Sequence, residues 1–235
     1  MWIDAIVQAR LTSRRLPGKV LRPLHGRPML TYLLERLERC RRLRSIIVAT
    51  SADASDDPIA SFCAGRGVPC VRGPLEDVAG RFGAVLDAFE PDAFVRVCAD
   101  SPLLDPALVD HAAARYRATI ADVVSNVVGR TYPSGQSVEV VGVSAFRDAC
   151  ARMTEPFDRE HVTPYLYRHA DRYRIHGFRS SRPMGNVGLA VDTEADLASV
   201  TAILAAMERP HWDYGLDQLL TLHTRTASTP AAIAV

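Results

Sequence analysis

Short apolar runs rich in Val, Ile and Ala recur along the chain, and the segments between them carry helical spacing. Strands are predicted over 3–7, 45–50, 69–71, 92–98, 121–126, 137–143, 173–178 and 189–191. Helices are predicted over 28–41, 58–66, 78–89, 106–116, 144–153, 160–169 and 194–207. In the first of these, Leu30, Leu33, Leu34 and Leu37 fall on one face. Gly67 is placed to end the second. Strands and helices alternating at this spacing imply a three-layer α/β fold, with a mostly parallel sheet covered on both sides. No internal repeat and no Gly-, Ser- or Pro-rich linker divides the chain, so one domain is expected over 1–226. The small apolar stretch 227–235 reads as a frayed tail.

The bulk properties exclude several classes. The 235 residues are 48% hydrophobic, enough for one sizeable core. A net charge of +1 argues against a nucleic-acid binder or a membrane-coating protein. No apolar run approaches the roughly 20 residues that span a bilayer. The opening segment 1–10 is broken by Asp4 and lacks a basic region and a cleavage site, so it is not read as a signal peptide and a cytoplasmic location is expected. The cysteines are Cys40, Cys63, Cys70, Cys98 and Cys150. Their odd number, with no CxxC pair, argues against a zinc site or a disulfide framework.

Among the 28 Lys and Arg residues, Lys19 is the sole lysine. It closes the segment Gln8-Ala9-Arg10-Leu11-Thr12-Ser13-Arg14-Arg15-Leu16-Pro17-Gly18-Lys19, which follows the first strand. Ligands bind beyond the carboxyl ends of strands in open α/β sheets. A triphosphate, with about four negative charges, needs fixed cations and backbone donors, and Arg10, Arg15 and Lys19 are spaced to surround one. The segment is neither a GxxxxGK[ST] nor a GxGxxG loop. The fourth strand ends at Asp100, and another apolar run ends at Asp192. Each is either a Mg2+ ligand or a local cap, Asp100 of the Ser101-Pro102 turn and Asp192 of the helix that follows. Two acids at strand ends plus a basic loop suit metal-assisted phosphoryl chemistry.

Residues 9–19 resemble the amino-terminal signature of the CMP-sugar synthetases, A-R-x-x-S-x-R-L-P-G-K, at every fixed position. The segments Arg96-Val97-Cys98-Ala99-Asp100-Ser101-Pro102, Tyr132-Pro133-Ser134-Gly135, Arg159-Glu160-His161-Val162-Thr163-Pro164-Tyr165 and Val191-Asp192-Thr193 resemble the SpsF-type branch of cytidylyltransferases. The resemblance implies a GT-A-like, Rossmann-like nucleotidyltransferase domain, often a homodimer. It implies transfer of CMP from CTP to an acidic sugar or sugar-like acceptor, with loss of pyrophosphate, for surface polysaccharide or glycoconjugate synthesis. Arg10, Arg15, Lys19 and Asp100 are the implied catalytic residues. Ala9, Ser13 and Arg81 join them around the nucleotide, and Asp100 with Asp192 is the implied Mg2+ pair.

Two departures bear on specificity. CMP-Kdo synthetases carry Gln two residues before the metal Asp, where this chain has Cys98, so backbone groups near Ala9 and Arg10 are expected to carry more of the base recognition. Where SpsF-like chains have G-L-D-V-E-V, this one has Gly135-Gln136-Ser137-Val138-Glu139-Val140. Candidate acceptor contacts are Gln136, Glu139, Arg159 and His161; Glu139 is equally readable as a paired structural carboxylate and Arg159 as an interface residue. Trp2 and Trp212 are read as packing residues. The alternatives are a nucleotidylyltransferase acting on a sugar 1-phosphate or a phosphonate, and a GT-A-like glycosyltransferase. The first usually opens with a glycine-rich loop and the second usually carries Asp-x-Asp, and neither is found here.

Overall fold

The computed structural model describes residues 1–184 and 186–228. Most of the expected tail, residues 229–235, lies outside the described residues. The chain runs β1 (Ile3–Gln8), β2 (Pro23–Leu24), β3 (Arg27–Pro28), α1 (Met29–Leu37), β4 (Ile46–Ser51), α2 (Asp57–Arg66), β5 (Cys70–Gly73), α3 (Val78–Phe89), β6 (Ala93–Cys98) and α4 (Pro106–Arg117). It continues through β7 (Val123–Ser125), β8 (Glu139–Gly142), α5 (Val143–Arg152), α6 (Pro156–His161), α7 (Pro164–Arg168), β9 (Ile175–Gly177), α8 (Glu194–Ala205) and α9 (Leu216–Ala227).

One seven-stranded sheet has the order β5-β4-β1-β6-β8-β7-β9, and β2 pairs with β3 in a separate small hairpin. Pairing is parallel from β5 to β6; β8 runs antiparallel to both its neighbours, and β9 lies parallel to β7. The alternation of side chains along each strand builds two cores. Ile3, Ala5 and Val7 of β1 pack in one core with Leu30, Leu33 and Leu37 of α1, Val109 of α4 and Val200 of α8. Ile6 of β1 and Phe94 of β6 pack in the other with Phe82 and Val85 of α3 and Phe146 of α5. Helices therefore cover both faces of the sheet, as the alternation predicts. Among the described residues no helix is long and apolar enough to cross a membrane.

Local chemistry sets the helix ends. Asp77 caps α3 by accepting from Gly80 N at 2.8 Å. Asp105 caps α4, with Pro106 in its first turn. Thr193 and Asp196 form a reciprocal capping box at the start of α8.

The structure departs from the predicted elements most clearly in four places. The helix expected over 28–41 ends at Leu37, and the Asp110 carboxylate takes the N–H groups of Arg41 and Arg42 at 3.0 Å. The helix expected over 160–169 is two helices, α6 and α7. Pro164 has no N–H to continue the ladder, and Val162 takes a positive φ of 71° in a tight turn closed by Thr163 N donating to His161 O at 2.8 Å. Residues 189–191 do not join the sheet. They run between two turns, with Leu189 N donating to Ser134 O at 3.0 Å and Val191 N to Asp100 O at 2.8 Å. The unpredicted α9 buries Leu216, Leu219 and Leu222. Trp2 is exposed, and the Arg44 guanidinium lies 4.7 Å from its ring.

Candidate active site

The parallel strands β1, β4 and β6 end on one side, where a cleft of about 460 Å³ opens. The loop leaving β1 is anchored at its base. Ala9 N donates to Ala49 O at 3.1 Å, and Leu11 N donates to the buried Asp56 carboxylate at 2.7 Å. Leu16 sits in the core. Gly18 then turns the chain at φ 74°, a conformation that favours glycine, into the 3-10 turn Lys19–Leu21. That turn directs Lys19 back into the cleft.

Lys19 is only 7% exposed. Its Nζ donates to Asp100 Oδ2 at 3.0 Å, to Asp192 Oδ1 at 2.9 Å and to Val191 O at 2.7 Å. All three donors of the ammonium are thereby used. Arg15 Nη2 adds a second cation on Asp192 Oδ1 at 2.8 Å. The structure thus joins the sole lysine to both predicted acids, although they lie far apart in sequence.

Asp192 is held in place by close backbone packing. Gly135, at φ 81°, sits so near Leu189 and Ala190 that a Cβ would lie 2.5 Å from the Leu189 carbonyl carbon. Gly135→Ala is expected to push 189–190 away and to move Asp192 with them. A displacement of about 1 Å at a reacting site can cost on the order of 100-fold in rate. We expect a loss of that size in turnover at saturating CTP; turnover within about twofold of the parent would rule out this positioning role.

Among the described residues, Arg10, Arg14, Arg15, Lys19, Arg81 and Arg96 line the cleft against Asp100, Glu160 and Asp192 as its acids. Arg10 Nη2 donates to Glu160 Oε1 at 3.0 Å, and this bond holds the Glu160 carboxyl below the usual carboxylate range. Arg81 is 2% exposed; its Nη1 donates to Pro74 O and Leu75 O, while its Nε is buried without a partner. Burial lowers the Arg81 pKa. Burial also pushes the Cys98 thiol up to about 11. Ala9, Ser13 and His161 line the same cleft.

Three predicted acceptor residues lie elsewhere. Gln136 is a buried structural amide: its Oε1 accepts from Asp105 N at 2.9 Å and its Nε2 donates to Leu103 O at 2.7 Å. Glu139 lies beneath the cleft, paired with Arg96 at 2.7 Å and accepting from the Tyr167 hydroxyl at 2.5 Å. Arg159 reaches Asp77 and the Met153 carbonyl, both at 3.3 Å. Each is held by partners of its own, and none lines the cleft. Gln8 and Arg14 do line it and were not singled out. The position of Gln8, as the last residue of the first strand, was the available signal.

Among the described residues there is no group of three or more His, Cys, Asp or Glu that could cage a metal by itself. The donors on offer are the two half-open carboxylates that converge on Lys19. Such a pair fits Mg2+, which takes one or two protein carboxylates and completes its shell with water and substrate phosphates.

Residues 5–206 match the cytidylyltransferase family profile. The chain is 32% identical over 228 residues to the spore coat polysaccharide biosynthesis protein SpsF of Bacillus subtilis, covering 94% of this chain and 93% of that protein. It is 36% identical over 114 residues to a 3-deoxy-manno-octulosonate cytidylyltransferase of Geobacter sulfurreducens, covering 48% of this chain and 45% of that one. A solved cytidylyltransferase structure from Leptospira borgpetersenii shares the fold with a TM-score of 0.92 at 23% identity, over 97% of this chain and 96% of that chain. The matched segment contains the whole cation loop and both acids, and the chain therefore belongs to the cytidylyltransferase family and is a CTP-using nucleotidyltransferase.

Proposed function

We propose that the cleft binds Mg2+ and CTP and transfers CMP to an acidic sugar or sugar-like acceptor, releasing pyrophosphate, in the synthesis of a surface polysaccharide or glycoconjugate. The observation that carries this reading is the contact of one buried lysine with two acids from distant segments, beside a cation-rich loop.

In this reading Arg10, Arg15 and Lys19 take the triphosphate. Phosphate oxygens replace the carboxylates of Glu160 and Asp192 as partners of the two arginines, and Mg2+ taken up by Asp100 and Asp192 would free Lys19 donors for the phosphates. Asp100 and Asp192 hold Mg2+, which when bound supplies Lewis-acid polarisation and charge neutralisation at the phosphates. The acceptor hydroxyl releases its proton to solvent, and its oxygen forms a bond to the α-phosphorus as the bond to the β-phosphate oxygen breaks. No protein group forms a covalent intermediate, so positioning and fixed charge supply the rate. Lys19 and Arg15 stabilise the departing pyrophosphate. Of the four acceptor candidates, His161 is the one on the cleft wall, which supports an acceptor position on the α6 side.

The test is pyrophosphate release from CTP over a panel of keto-acid sugars, sugar 1-phosphates and phosphonates. Release with an acidic sugar, abolished by EDTA, is the expected result. Release with a sugar 1-phosphate or a phosphonate alone would replace this reading with the corresponding alternative.

A further inference from the structure

Gln8 closes β1 on the cleft wall, and its register partner on β6 is Cys98. Arg96 Nε donates to Gln8 Oε1 at 3.0 Å. Arg96 is clamped in turn, its Nη1 donating to Glu139 Oε2 at 2.7 Å and to Thr163 Oγ1 at 3.2 Å. Tyr167 holds Glu139 from the other side, and its hydroxyl oxygen lies 2.9 Å from the Ser125 hydroxyl, which can donate to it. Thr163 follows Val162, whose φ is 71°, so the backbone between α6 and α7 is bent at the point where it meets Arg96.

This arrangement limits what Gln8 can do. A free glutamine amide can flip and offer either its oxygen or its NH2 to a ligand. A guanidinium only donates, so this bond turns the Gln8 oxygen toward Arg96 and its NH2 the other way. The two N–H donors are what Gln8 retains for a molecule in the cleft.

The surroundings indicate which part of a nucleotide lies there. The loop cations Arg10, Arg15 and Lys19 suit phosphates. Ala9, Val78 and Cys98, which line the cleft with Gln8, are small or apolar, as a flat neutral base requires, and the Arg96 charge is matched by Glu139. Cytosine presents two adjacent acceptors, N3 and O2. Uracil places an N3–H donor beside O2. A side chain that presents its NH2 to the base edge therefore pairs with cytosine, whereas the same NH2 opposes the uracil N3–H.

We propose that Gln8, held with its amide donors toward the cleft by Arg96, reads the N3 and O2 edge of cytosine and sets the preference for CTP over UTP. The proposal rests on the reading that the nucleotide occupies this cleft. Gln8 is a specificity residue and Arg96 its positioning residue.

The experiment measures dissociation constants for CTP, UTP, dCTP and inorganic tripolyphosphate by calorimetry, with Mg2+ and without acceptor. The unsubstituted protein should favour CTP over UTP by about tenfold or more. Gln8→Met, which keeps the length of the side chain, should weaken CTP by about tenfold and leave tripolyphosphate within about twofold. Gln8→Glu keeps the bond to Arg96 but offers an acceptor, so the CTP-to-UTP ratio should invert once normalised to tripolyphosphate. Arg96→Lys should lower the same ratio without abolishing folding, because it keeps a cation near Glu139. An unchanged ratio in both Gln8 variants overturns the proposal, as does a change confined to dCTP. If the unsubstituted protein binds CTP no better than tripolyphosphate, the base lies outside the cleft, and the nucleotide assignment itself fails.

Discussion

Lys19→Ala is expected to lower CTP-dependent pyrophosphate release by about 1,000-fold, the upper end of what one preorganised electrostatic donor contributes. The ammonium is nearly enclosed, and its three donors meet Asp100, Asp192 and the Val191 carbonyl. Alanine removes the contact that draws the two acids together and, in the proposed reading, the cation that faces the leaving phosphates. Arginine is not a substitute, because its planar fork cannot direct donors to three oxygens around one point. Lys19→Arg should therefore stay at least about 100-fold below the parent. A second readout separates lost catalysis from lost folding. Without Lys19 the two acids face each other with less counter-charge, so Mg2+ should raise the melting temperature of Lys19→Ala more than that of the parent. Turnover within about tenfold of the parent would remove Lys19 from the mechanism.

The same residue shows how much the sequence discloses. In a chain whose other basic side chains are all arginine, a lysine at the end of a strand-exit loop marks a point where arginine's shape fails. Asp100 and Asp192 were legible because apolar runs lead into them. The sequence could not say that the second run would lie between two turns rather than in the sheet, because three apolar residues look alike in either setting. Gln136 was misread for a related reason. A glutamine in a polar, turn-rich segment looks available for a ligand, and only the fold reveals the Asp105 N–H and Leu103 carbonyl that occupy its amide. Gln8 was overlooked because a strand-end amide becomes informative only once Arg96 is known to hold its oxygen. The α/β layering followed from periodicity, whereas α9 did not, since Thr and His surround its three buried leucines.

Arg36 was also hidden, and its replacement carries the largest expected effect on stability. It lies in α1 beside the leucine stripe and is 0% exposed. Its Nε donates to Leu104 O at 2.7 Å and its Nη2 to Tyr214 O at 2.7 Å, while Nη1 reaches His211 O. Burial lowers its pKa to about 10, so the group stays charged at neutral pH. One guanidinium thus binds α1 to the turn before α4 and to the segment joining α8 to α9. Arg36→Met fills most of the volume but orphans three buried carbonyls, each worth about 1–3 kcal/mol. Relief from burying a charge offsets part of that loss, leaving a net destabilisation of about 4 kcal/mol. For a chain of this length the melting temperature should fall by roughly 10 °C. Arg36→Lys should recover less than half of the loss, since a single ammonium cannot span the three carbonyls. Because Arg36 does not line the cleft, the folded fraction at 25 °C should turn over CTP at close to the parental rate. A melting temperature within about 2 °C of the parent would mean that the carbonyls find other donors, and that the α8–α9 connection is held by its apolar contacts instead.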